Sequence, residues 1–215
     1  EAAVSMPSKL TATQLKGRVL DQEAAQEAQG ASQAAPEPIR RPDFIARREG
    51  LTAAQKGTAL HLAMQYLPLE GEHSPEAIRE AVAEMVRKGF LPPLQGEAVS
   101  PEVLSAFFAS SLGREVARAK EVHREFKFSL LTPARDYLPG LEGEEVLLQG
   151  VVDCWFADEK GITVLDFKSD RIRPGQEEER AQAYAPQLTA YSRALERITG
   201  RRVYRKMLWF FATGT

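Results

Sequence analysis

Three charged residues on two neighbouring apolar segments form the pattern in this sequence that is best suited to chemistry. Asp153 ends the segment Gly-Val-Val-Asp, and Asp166 and Lys168 lie in the segment Val-Leu-Asp-Phe-Lys. Side chains at positions i and i+2 of a β-strand leave the same face, so Asp166 and Lys168 share one face. A symmetric hairpin that turns between Glu159 and Lys160 places Asp153 directly opposite Asp166.

Two opposed carboxylates on paired strands repel each other, and charges in apolar strands need a partner or a metal. A hard divalent cation meets this need by taking oxygen ligands from both aspartates and from the Phe167 carbonyl group; Mg²⁺ is preferred and Mn²⁺ is an alternative. Lys168 is then placed to hold or polarise a water molecule beside the metal. Metal, lysine and water together form a phosphodiester-cleaving arrangement. The competing interpretation is a solvated strand face with a cross-strand ion pair.

The periodicity of the chain indicates which elements position these residues. A helical pattern covers residues 52–67, 74–88, 100–119 and 184–198, and a period of two covers residues 121–131, 146–156, 161–168 and 203–212. This order predicts an α/β (α+β) domain with a mixed sheet over residues 51–215. Residues 1–50 are predicted to be a docking segment with a short capped helix at Thr11 and an Ala/Gln-rich flexible insert at 21–38.

Composition excludes several classes of function. A single cysteine, Cys154, supports neither an intrachain disulfide nor a multi-cysteine zinc or iron–sulfur site. No apolar run reaches 18 residues and no signal peptide is evident, which predicts a cytoplasmic protein without membrane contact. No Gly-x-x-x-x-Gly-Lys-Ser/Thr motif is present, so no ATP site is expected in this chain. The start at Glu1 rather than Met suggests a piece of a longer protein.

Five motifs in order resemble the RecB-like branch of the PD-(D/E)xK nuclease superfamily. They are Gly-x-x-x-His61, Glu125, Gly-x-x-Asp153, Asp166-x-Lys168 and Gln187-x-x-x-Tyr191. The segments Lys-Gly-Thr-Ala-Leu-His and Asp-Phe-Lys-Ser-Asp-Arg look more specifically like those of the AddA family, the helicase-nuclease subunits of bacterial AddAB. The resemblance implies a restriction-endonuclease-like fold with a mixed central β-sheet flanked by helices.

The resemblance also implies a role for each matching residue. The implied metal ligands are His61, Asp153, Asp166 and the carbonyl group of Phe167. The implied catalytic residues are Asp153, Asp166, Lys168 and Glu125. Within that set, Lys168 would assist the nucleophilic water, and Glu125 would be an acid near the metal or the water. Gln187 and Tyr191 would orient their helix against the DNA backbone or against the site.

The resemblance therefore implies a Mg²⁺-dependent DNA exonuclease domain of an ATP-dependent helicase/nuclease. It would process double-strand ends for recombinational repair in the bacterial cytoplasm, cut unwound single strands and work with the AddB protein. One alternative is a stand-alone RecB-family exonuclease, and another is a non-catalytic DNA-binding module with the same fold. A basic stretch at 191–206 is interpreted either as a phosphate-binding surface or as a solvated helix end.

Overall fold

The computed structural model of the chain describes residues 9–15, 51–137 and 142–215. The helices are α1 (Ala53–Tyr66), α2 (Pro75–Arg87), α3 (Pro93–Ala98), α4 (Pro101–Ala109), α5 (Ser111–Arg118) and α6 (Glu177–Thr199). The strands are β1 (Lys9–Thr11), β2 (Glu121–Pro133), β3 (Glu145–Asp158), β4 (Gly161–Lys168) and β5 (Val203–Phe210). Short 3-10 helices follow β1 and β2, at Ala12–Leu15 and Ala134–Asp136. The predicted insert at 21–38 lies outside the described residues.

Strand β3 is the centre of a mixed sheet. Strand β2 pairs antiparallel with β3 along one edge of that strand. The other edge is shared: β4 pairs antiparallel with residues 154–158 of β3, and β1 pairs parallel with residues 147–149. Strand β5 extends the sheet by pairing parallel with β4. The predicted mixed sheet is confirmed, and the hairpin has the predicted register, with Cys154 opposite Leu165.

Helices cover both faces of the sheet because both faces of the central strands are apolar. On one face, helices α1, α2, α4 and α5 pack around a core that includes Phe156 and Phe167. On the opposite face, α6 packs through Leu188 and Leu195 against a second core that includes Trp155. The alternation of Trp155 and Phe156 between the two cores follows the period of two of a β-strand. None of the helices in the described ranges is long and apolar enough to cross a membrane.

The single helix predicted over residues 100–119 is wrong, because the structure divides it at Ser110. This residue has extended backbone angles and ends α4, and its hydroxyl group accepts the backbone N–H of Gly113 at 3.0 Å. The serine therefore acts as the N-cap of α5. Helix α3, in the proline-containing segment after Gly89, was not predicted, and α6 begins seven residues before the predicted start at Tyr184.

The turn between α4 and α5 requires glycine at position 113. A Cβ atom added to Gly113 would lie 2.0 Å from the carbonyl oxygen of Phe107, which is backbone and cannot rotate away. We expect Gly113→Ala to lower the free energy of unfolding, measured in urea, by about 3 kcal/mol. Ser111→Ala is the control, because Ser111 lies on the same short helix and its side chain is exposed. Equal stability of the two variants would contradict this packing.

Candidate metal and nuclease site

The candidate site lies at Asp153, a residue of β3 that is paired with neither of the two neighbouring strands β2 and β4. On one side the pairing with β4 ends at Cys154, and on the other the pairing with β2 passes from Cys154 to Val152. Asp153 and Asp166 are therefore the first residues beyond the last hairpin pair. In place of a backbone pair at this position, the side-chain carboxylate of Asp153 accepts a hydrogen bond from the backbone N–H of Phe167 at 2.7 Å.

Glu125 faces this gap from β2 and has the one positive φ among the non-glycine residues described, 54°. A side-chain-bearing residue in the left-handed region is strained, and such strain is found disproportionately at functional sites. The carboxylates of Glu125 and Asp153 and the ring of His61 each offer one ligand atom, and these three atoms lie within 4.8 Å of one another. All three side chains are partly exposed.

Helix α1 delivers His61 to the sheet. A capping box between Thr52 and Gln55 begins this helix, and His61 Nδ1 lies 3.5 Å from Asp153 Oδ1. The guanidinium group of Arg124 donates to the Met64 carbonyl at 2.9 Å and to the Leu67 carbonyl at 2.6 Å. Because Arg124 immediately precedes Glu125, these bonds tie the C-terminal end of α1 to the strand that carries Glu125.

A second, buried part of the site is centred on Lys168. Its Nζ atom lies 2.5 Å from Asp166 Oδ2 and donates to Gln187 Oε1 at 3.2 Å. The Gln187 amide in turn donates to the Tyr191 hydroxyl at 2.8 Å. Gln187 and Tyr191 are only 2% and 3% exposed, so of the two orientations predicted for them the geometry favours the one toward the site. Contact with a DNA backbone stays a prediction.

The two aspartates of the site differ in acidity. Burial raises the pKa of the Asp166 carboxyl to about 6, with Lys168 opposing that rise and the Asp153 charge adding to it. Burial also opposes ionisation of Asp153, but His61, Lys168 and the Phe167 N–H together outweigh it and hold the Asp153 pKa below its usual range. Asp153 is therefore ionised under all near-neutral conditions, whereas Asp166 gains a proton in mildly acidic solution.

This difference can be measured directly. In the metal-free protein, a ¹³C NMR titration of the carboxyl carbons should place the pKa of Asp166 at about 6 and that of Asp153 below the usual range of an aspartate. Because a proton and a cation compete for the same carboxylate, Asp166 is available to a metal above its pKa and progressively less so below it. The variant Asp166→Asn identifies the ¹³C signal of Asp166, because that signal is absent from its spectrum. A titration midpoint for Asp166 in the usual range of an aspartate would contradict the predicted effect of its burial on the pKa.

The residues of the site fit a divalent cation. Carboxylate oxygens from separate strands and one imidazole nitrogen form a donor set that can hold a divalent metal ion. Among the described residues, the buried Asp166 Oδ2 atom has no well-oriented hydrogen-bond donor, although the Lys168 ammonium lies beside it. The compact three-residue cluster contains Glu125, which the sequence interpretation placed near the metal rather than among its ligands. The Phe167 carbonyl as a ligand stays a prediction.

The basic stretch at 191–206 has mostly structural partners. Four of its basic side chains bind acceptors on β2, on the 3-10 helix after it or on α5: Arg193, Arg197, Arg201 and Arg205. Arg201, for example, lies 2.6 Å from Glu121. Neither sequence interpretation of this stretch anticipated these contacts. These contacts link α6, β5 and the residues between them to β2, to the 3-10 helix after β2 and to α5.

Sequence reasoning gave no individual role to three residues that contact this region. Arg124 was noted only as part of a motif, and Asp170 and Tyr184 were not considered separately. The Tyr184 ring lies against Lys168, and its hydroxyl donates to Asp170. The sequence nevertheless contained an indication that Tyr184 belongs to the site, because Tyr184 and Gln187 are three residues apart and so share a helix face.

Comparison with known proteins agrees with this geometry. The sequence model of the PD-(D/E)XK nuclease superfamily matches residues 20–214. A protein of Desulforudis audaxviator, named as the A subunit of an ATP-dependent helicase/nuclease, is 38% identical over the whole chain. Proteins of the same name from Pelotomaculum thermopropionicum and Bacillus cereus are 40% identical over 99% of the chain and 38% identical over 98% of it, respectively.

The chain spans less than a fifth of the length of these relatives, 17–18% in each case. The superfamily match, by contrast, covers nearly the whole chain. The mixed sheet flanked by helices, with acidic residues and a lysine gathered on its central hairpin, is consistent with that match. This chain belongs to the PD-(D/E)XK nuclease superfamily, whose members are metal-dependent nucleases.

Proposed function

We propose that this chain is the Mg²⁺-dependent DNA exonuclease domain of a longer ATP-dependent helicase/nuclease. That protein would process double-strand DNA ends for recombinational repair in the bacterial cytoplasm, with AddB as its partner. The domain would hydrolyse phosphodiester bonds of the unwound single strands. The observation that carries the proposal is the cluster of His61, Glu125 and Asp153 next to the Asp166–Lys168 pair.

The charge of the site explains why it would need a cation to accept DNA. Glu125, Asp153 and Asp166 place three carboxyl groups in this region, and a phosphate approaching them is repelled. His61, Glu125 and Asp153 would hold the cation, with Asp166 completing the site from β4. When bound, the cation polarises the scissile phosphate, stabilises the negative charge that develops on it and lowers the pKa of an attacking water.

In addition to the bound cation, the site has a positive charge from the protein itself, the ammonium group of Lys168. Its side chain is buried, and its ammonium group is held between Asp166 and Gln187, so it is oriented before any substrate arrives. In this position it donates a hydrogen bond to the attacking water or to a phosphate oxygen. Hydrolysis joins the water oxygen to phosphorus and releases one sugar oxygen, which leaves with a proton. Donors fixed in advance avoid the cost of reorganisation during the reaction.

Similarity over the full chain to proteins named as A subunits of ATP-dependent helicase/nucleases supports this proposal over a stand-alone exonuclease. The buried, partnered lysine supports catalysis over a non-catalytic DNA clamp. A clamp needs no ammonium group held beside an acidic cluster.

The test is cleavage of a 5′-labelled single-stranded DNA by the purified chain in Mg²⁺ and, as the control, in EDTA. We expect shortened products only with the metal, and slower cleavage of a blunt duplex because no motor is present to unwind it. DNA binding without cleavage in either metal, Mg²⁺ or Mn²⁺, would contradict the proposal and favour the clamp. Cleavage undiminished by EDTA would contradict the metal requirement.

A further inference from the structure

The ammonium group of Lys168 contacts an aromatic ring that the proposed function leaves without a role. Its Nζ atom lies 4.1 Å from the centroid of the Tyr184 ring, within the range in which a cation is attracted to an aromatic face. Tyr184 is 2% exposed and precedes Gln187 by three residues on α6. The ring and the Gln187 amide therefore reach Lys168 from the same face of the helix.

Asp170 fixes the far end of this ring. The Tyr184 hydroxyl donates to Asp170 Oδ2, and Arg180 Nη2 lies 3.1 Å from the same oxygen. Asp170 is itself 8% exposed and follows Lys168 by only two residues. The segment after β4 thus turns back onto α6 and binds the helix residue whose ring lies under the lysine.

A lysine side chain needs such support because its four-carbon stem is flexible. The ammonium group forms an ion pair with Asp166 and donates a hydrogen bond to Gln187, and the Tyr184 ring lies on a further side of it. Without the ring, the buried ammonium group can shift while keeping its ion pair with Asp166. A displacement of about 1 Å in a group that acts on the reacting atoms can slow a reaction roughly a hundredfold.

Resting on the proposed function, we propose that Tyr184, held by Asp170, is a positioning residue for Lys168. Tyr184 is not a member of the metal cluster of His61, Glu125 and Asp153, and in this assignment it acts on the substrate only through the lysine. Its loss should therefore slow the chemical step and leave the binding of metal and DNA unchanged. Loss of a residue that only stabilised the fold would not slow the chemical step while leaving the affinities for metal and DNA unchanged.

The test compares Tyr184→Leu with wild type. We expect kcat on single-stranded DNA to fall about 10- to 100-fold, with KM for DNA and the Mn²⁺ dissociation constant from calorimetry unchanged. In the metal-free protein, NMR should show the Lys168 side-chain protons shifted upfield by the ring in wild type and not in the variant. Tyr204→Leu is the matched control, because Tyr204 also donates to an aspartate, Asp158, outside the site.

Two conservative variants keep the test valid if Tyr184→Leu fails to unfold cooperatively in urea. Tyr184→Phe keeps the ring but loses its bond to Asp170, and Asp170→Asn weakens the same bond from the other side. Each substitution should lower kcat by less than Tyr184→Leu. The double variant should be no slower than the slower single variant, because both substitutions disrupt the same Tyr184–Asp170 hydrogen bond.

Where the wild-type protein cleaves DNA, the inference is overturned if Tyr184→Leu, or the pair of conservative variants, retains the wild-type kcat. It is also overturned if kcat and metal affinity fall together, or if wild type lacks the upfield shift of the Lys168 protons. Failure of the proposed function gives a different result, because wild type itself would then show no cleavage in Mg²⁺.

Discussion

Replacing Asp166 by asparagine should reduce cleavage of single-stranded DNA about a thousandfold or more. The substitution removes one negative oxygen from the place where β3 and β4 separate, and Asn offers a weaker ligand to a hard cation. The fold should persist, because Asn fills the same volume and the buried carboxylate is itself costly, as its raised pKa shows. The measurement is the single-turnover rate at saturating Mg²⁺, together with urea unfolding.

Asp158→Asn is the control for this experiment. Asp158 ends the same β3 strand but is exposed and binds Tyr204 and the Lys160 backbone, away from the cluster. This variant should cleave at the wild-type rate. Full cleavage by Asp166→Asn would show that the proposed site is not the site of reaction.

Replacing Lys168 by alanine should slow the chemical step about 10²- to 10⁴-fold, the range expected for loss of a positioned proton donor. Metal affinity should change far less, because the ammonium group is not a ligand and the cluster of His61, Glu125 and Asp153 does not include it. The single-turnover rate and a calorimetric Mn²⁺ titration separate the two effects. Both are measured well above the wild-type Asp166 pKa of about 6, because loss of Lys168 removes a charge that opposes the rise of this pKa.

Lys206→Ala is the matched lysine control, because Lys206 lies on the surface of β5 and donates to Thr189 on α6. Its rate should equal that of wild type. If Lys168→Ala lost metal affinity and rate in equal measure, Lys168 would have to be a structural partner of Asp166 rather than a participant in the reaction.

The hairpin could be predicted from sequence because its register depends on local features. The turn residues after Asp158 fix which residues of the two strands lie opposite each other, and the alternation of side chains along a strand fixes which of them share a face. Cys154 accordingly lies opposite Leu165. The same alternation placed Asp166 and Lys168 on one face, where the structure has them in contact.

Other features depend on contacts that the helical and strand periodicities of the sequence do not contain. The break at Ser110 arises because the turn brings the backbone of Gly113 against Phe107, which lies far from it in a continuous helix. The proximity of Glu125 to His61 depends on a strained backbone and on α1 packing over the sheet. Arg201, between α6 and β5, and Arg205, on β5, have their acidic partners on β2 and α5, which are distant in sequence.

A calorimetric titration of Mn²⁺ into wild type and Asp153→Asn, in metal-free buffer above neutral pH and without DNA, is the most direct test of the metal site. Asp153 lies at the centre of the cluster, and its carboxylate contacts both the His61 ring and the Phe167 N–H. We expect saturable binding to wild type and to the surface control Glu115→Gln, and a loss of about tenfold or more in affinity for Asp153→Asn. Equal Mn²⁺ affinity in wild type and Asp153→Asn would contradict the assignment of this cluster as the metal site.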